Sequence, residues 1–75
     1  MANPKSTSRI TDIIRANRER VRIASDTELA IRIGMPVPTI RYRMKNPSTW
    51  KQYELRDLCR ITNMPDEDIV ALIRG

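Results

Sequence analysis

The segment Thr27–Lys45, TELAIRIGMPVPTIRYRMK, reads as two short helices joined by a tight turn. Ala30 falls where the two helices touch, and Ile40 and Met44 lie on the inward side of the second. Gly34 ends the first helix, because glycine takes the left-handed conformation without steric cost. Pro36 and Pro38 bracket the start of the second, where backbone N–H groups have no intrahelical partner. Asn46-Pro47 stops it, since the residue before proline is pushed out of the α region. The outer edge of this second helix carries Arg41, Tyr42 and Lys45.

Upstream, Ser25-Asp26-Thr27-Glu28 has capping-box spacing, with Ser25 as cap and Glu28 reaching back to the Ser25 N–H. Ile10, Ile13, Ile14 and Val21 lie near helical spacing and predict an earlier helix. A cap at Ser6, Thr7 or Ser8 would open it, and it is expected to end near Ile23. Residues 1–7 are polar, with an early Pro4, and read as a disordered tail ahead of a single domain over 8–75.

Downstream, Lys51 or Gln52 begins a fourth helix whose inner face is Leu55, Leu58, Cys59 and Thr62. Pro65 opens a fifth, and Asp66, Glu67 and Asp68 place negative charge at its positive end. Ile69, Leu72 and Ile73 form its apolar stripe. With no β-run and no repeat, the chain reads as all-α, a compact bundle of five short helices.

A chain of 75 residues supports one small core and leaves little room for a cleft beside it. The net charge of +5 points to a polyanionic partner. Residues 1–24 carry net +4, 25–50 net +2 and 51–75 net −1, so the helix pair sits in the basic two-thirds. One cysteine and no histidine exclude an internal disulfide and a zinc site, and fit a reducing, intracellular setting. No apolar run approaches about 18 residues, which argues against a membrane span. An enzyme is disfavoured: the chain has no histidine base, no metal set and no phosphate-binding glycine loop. No cofactor is expected.

The residues that shape the helix pair also carry a resemblance. Glu28-Leu29-Ala30, Ile33-Gly34-Met35, Thr39-Ile40, Arg43-Met44-Lys45-Asn46-Pro47 and Glu54-Leu55-Arg56 with Leu58 are similar to the helix-turn-helix domains of the phage repressor and Cro class, the XRE-like family. The match runs from Ser8 to Ile73, with the helix-turn-helix over about residues 26–45. It implies a lambda-repressor-like fold and a regulator that binds double-stranded operator DNA, commonly as a homodimer, in the cytoplasm or on the nucleoid. By position it directs Val37, Pro38, Arg41 and Tyr42 toward base edges, and Thr27, Lys45 and Asn46 toward phosphates.

One departure opens a second reading. Pro36, Val37 and Pro38 stand where the family often has serine and glutamine or arginine, and none can donate a side-chain hydrogen bond. Direct readout then falls mainly to Arg41 and Tyr42. An apolar tip with Met35 nearby also suits a protein surface, as in a phage antirepressor or modulator that grips a repressor protein. Elsewhere, Arg15, Arg18, Arg20 and Arg22 read as a solvated basic run. Trp50 reads as closing the edge of the core, and Cys59 as a small hydrophobe.

Overall fold

An apolar stripe at helical spacing and an unbroken run of helix-compatible residues make the first element long. The computed structural model describes the backbone of residues 4–74 and the side chains of residues 9–74. Helix α1 spans Pro4–Arg20, so it begins ahead of the caps expected at Ser6, Thr7 or Ser8. Residues 4–7, expected in the tail, form its first turn; residues 1–3 lie outside the described residues. Proline suits that first turn.

Helix α1 stops at Arg20, earlier than Ile23, because Arg22 adopts φ 65°. The Ile23 amide then donates to the Arg18 carbonyl at 2.9 Å, and the Arg22 amide to Glu19 at 2.9 Å. This pair of closing bonds is a Schellman motif. The same device ends α2 (Asp26–Ile33) with Gly34 at φ 77°, where Met35 N–H donates to Ala30 at 3.0 Å. It ends α4 (Gln52–Ile61) as well, with Asn63 at φ 49° and Met64 N–H donating to Cys59 at 3.0 Å.

Helix α3 spans Val37–Lys45, starting after Pro36 and stopping at Asn46. One turn of 3-10 helix, Pro47–Thr49, leads to α4, and α5 spans Asp66–Arg74. The described residues thus form five α-helices and no strand, as the periodicity predicts.

Every helix contributes to one core. Ile14, Leu29, Ala30, Ile40, Met44, Leu58 and Leu72 are buried, joined by Ile23, Trp50 and Met64 from the connections. Trp50 closes the edge of this core, as expected. Ile73 departs from its predicted stripe and is 73% exposed. Between α4 and α5 a groove of about 560 Å³ is lined by Trp50, Leu55, Cys59, Ile69, Leu72 and Ile73, among others. Cys59 lies in its wall, half-buried, with its sulfur 3.9 Å from Met64 Sδ. Among the described residues no helix is long and apolar enough to cross a membrane.

The arginine run is solvated only in part, at Arg15 and Arg22, while Arg18 and Arg20 are tied to backbone carbonyls. Arg18 is buried, donates to the Ile23 carbonyl at 3.1 Å and lies 3.6 Å from Asp26. Arg20 donates to the Thr62 and Asn63 carbonyls at 2.7 and 2.8 Å, tying α1 to the end of α4. Arg22 is exposed, and Arg15 half-exposed. The periodicity could not separate these four, because the partners that fix two of them lie across turns or about forty residues away.

Candidate nucleic-acid interface

The outer face of α3 depends on how firmly α3 is held. At its start, the Thr39 and Ile40 amides donate to the Pro36 carbonyl at 3.0 and 3.1 Å, while Gly34 fixes the angle to α2. At its end, the Thr11 hydroxyl of α1 donates to the Met44 carbonyl at 2.6 Å. Arg43 turns inward and lies 2.7 Å from the Glu54 carboxylate, with both side chains mostly buried. The Arg43 Nε–H is not aligned on that oxygen, so the contact is an ion pair and not a hydrogen bond. Glu54 also accepts from the Lys51 amide at 2.9 Å. One carboxylate therefore caps α4 and anchors α3.

The opposite edge of α3 is open. Pro38, Arg41, Tyr42 and Lys45 are exposed; Arg41 and Tyr42 each lie three or four residues from both Pro38 and Lys45, which places the four on one side of the helix. Val37 is half-buried and packs against the core, so only part of its surface faces outward. Asn46 is exposed, but its amide donates to the Tyr42 carbonyl at 3.0 Å and closes the helix end. Thr27 is exposed in the first turn of α2. Pro36 is exposed at the tip.

The α2 start is capped as its sequence predicts, with one shift. The Glu28 amide donates to Ser25 Oγ at 3.1 Å. The Glu28 carboxylate accepts from the Ala24 amide at 3.2 Å, one residue before the expected Ser25 N–H, and pairs with Arg32 at 2.9 Å. The Ala24 N–H and then Arg32 hold the Glu28 carboxyl below its ordinary value.

Beside the open edge lies a shallow cavity of about 240 Å³, lined by Arg15, Asp26, Arg41, Met44 and Lys45. Arg15 is the member that the helical pattern of α1 gave no reason to single out. Its placement follows from the Thr11–Met44 bond, which lays α1 across the end of α3. Among the described residues no group of His, Cys, Asp and Glu is arranged to hold a metal ion. Comparison with known protein families, curated proteins and solved structures finds no match for this chain.

Proposed function

We propose that the chain is a sequence-specific DNA-binding transcription regulator of phage repressor or Cro type that lays α3 in the major groove. The observation that carries this reading is the exposed face of Arg41, Tyr42 and Lys45 on a helix pinned at both ends. A helix of this kind behind a tight turn is the usual reader of base edges. Arg41 suits guanine O6 and N7, and such a contact contributes about 1–3 kcal/mol of discrimination. Lys45, Thr27 and Asn46 flank that face and suit phosphate oxygens. Because a single arginine carries most of the readout, a homodimer on two half-sites supplies the remaining specificity. Such a protein works in the cytoplasm, on the nucleoid.

The test is a mobility shift against the DNA flanking the protein's own gene, read across a salt series. Binding is expected to weaken steeply with salt, and Arg41→Ala to lose preference for the chosen site. Folded protein that binds no duplex at low salt would falsify the reading.

The exposed Pro36 and Pro38 favour a second reading, an antirepressor that presents the same tip to a repressor protein. It predicts co-purification with the repressor encoded beside it. Failure to form that complex at micromolar concentration removes this reading.

A further inference from the structure

We infer that Arg15, Arg41 and Lys45 form a cradle for one backbone phosphate of the bound duplex, which makes α1 part of the DNA interface. The inference rests on the reading of α3 as the DNA-contacting helix. Three cationic side chains and the Met44 side chain line one cavity, and the sole carboxylate there is Asp26. Asp26 already has a second cation, since Arg18 lies 3.6 Å away and is buried. Arg18 cannot leave that position without abandoning its bond to the Ile23 carbonyl. Among the described residues Arg15 has no such tie; its side chain is 49% exposed and its contact to Asp26 is 3.5 Å.

The division of labour follows from these geometries. Arg18, held by the Ile23 carbonyl, stays as the counter-charge of Asp26, with the exposed Glu19 3.9 Å away on its other side, and Arg15 is free to swing from Asp26 to an incoming anion. Once Arg18 is set against Asp26, the cavity keeps three positive charges. The Arg15–Asp26 contact is long, 3.5 Å, and open to solvent on its arginine side, so exchanging it for a phosphate oxygen is favourable. The anion is a phosphodiester of the duplex, because the cavity adjoins the outer edge of α3 and shares Arg41 and Lys45 with it.

The experiment uses duplexes that the wild-type protein selects from a random pool, with affinity measured by fluorescence anisotropy across a salt series. Arg15→Ala is expected to bind selected and unselected duplexes roughly fivefold more weakly, by the same factor for each, and to lower the log–log salt slope by about 0.9. Arg74→Ala removes the same charge from the last turn of α5 and is expected to change neither. Arg15→Lys restores the slope. A neutral methylphosphonate at one backbone position reproduces the loss, and at that position Arg15→Ala then has no further effect. Thermal melts show that the variants are folded.

If Arg15→Ala behaves like Arg74→Ala while the wild type binds, the cradle is wrong and the reading of α3 stands. If the folded wild type binds no duplex, the reading of α3 fails and the cradle fails with it.

Discussion

Arg22 holds a backbone conformation that costs an L-residue about 1–2 kcal/mol, and glycine would hold it without that strain. Arg22→Gly is therefore expected to stabilise the fold by about 0.5–1 kcal/mol, read as a higher urea midpoint with an unchanged m-value. The same closure uses glycine at 34, asparagine at 63 and arginine at 22, so only the first was legible in the sequence. Arginine carries no local turn signal, and asparagine a weaker one than glycine. Glu28 offers a pH test at the same scale. Its carboxyl is held below the ordinary glutamate value, so its contribution is present above that value and fades as pH falls through the lowered one. Melting temperatures of wild type and Glu28→Gln are expected to differ near neutrality and to converge in acid.

Among the elements, α3 is the one whose position matters most, and its anchors were the least legible. The boundaries of α3, a start at Pro36 and Pro38 and a stop at Asn46-Pro47, follow from local chemistry and were readable. The Arg43–Glu54 pair and the Thr11 bond to Met44 join residues distant in sequence, and residue type alone does not announce them. Arg43→Met leaves the buried Glu54 charge unpaired and is expected to cost about 3 kcal/mol in denaturant unfolding. Adding Glu54→Gln is expected to recover part of that loss, because the amide oxygen still accepts from Lys51 while the buried charge is gone. If the two changes simply add, the pair is not the anchor described above.

At the scale of the molecule, one core drawn from all five helices implies a single cooperative unfolding step. Leu72→Ala on α5 is expected to cost about 3 kcal/mol, a large share of what so small a domain has. Near- and far-ultraviolet circular dichroism should lose their signals at the same temperature, and separated transitions would show α5 melting alone. The apolar pattern made this core legible, since the stripes read from the sequence supply most of its members. The candidate interface was legible on α3 and hidden on α1, because the packing of one helix across another is not written in either.

Cys59 turns the α4–α5 groove into something that can be timed. It is the chain's single cysteine, it stands in the groove wall, and burial raises its thiol above the ordinary value. A coloured disulfide reagent should therefore react slowly at neutral pH and faster as alkali frees the thiolate. Any molecule seated over that groove shields the sulfur and slows the reaction further. Self-association there would show as a rate that falls with protein concentration. DNA gripped through α3 alone would leave the clock running at its original pace.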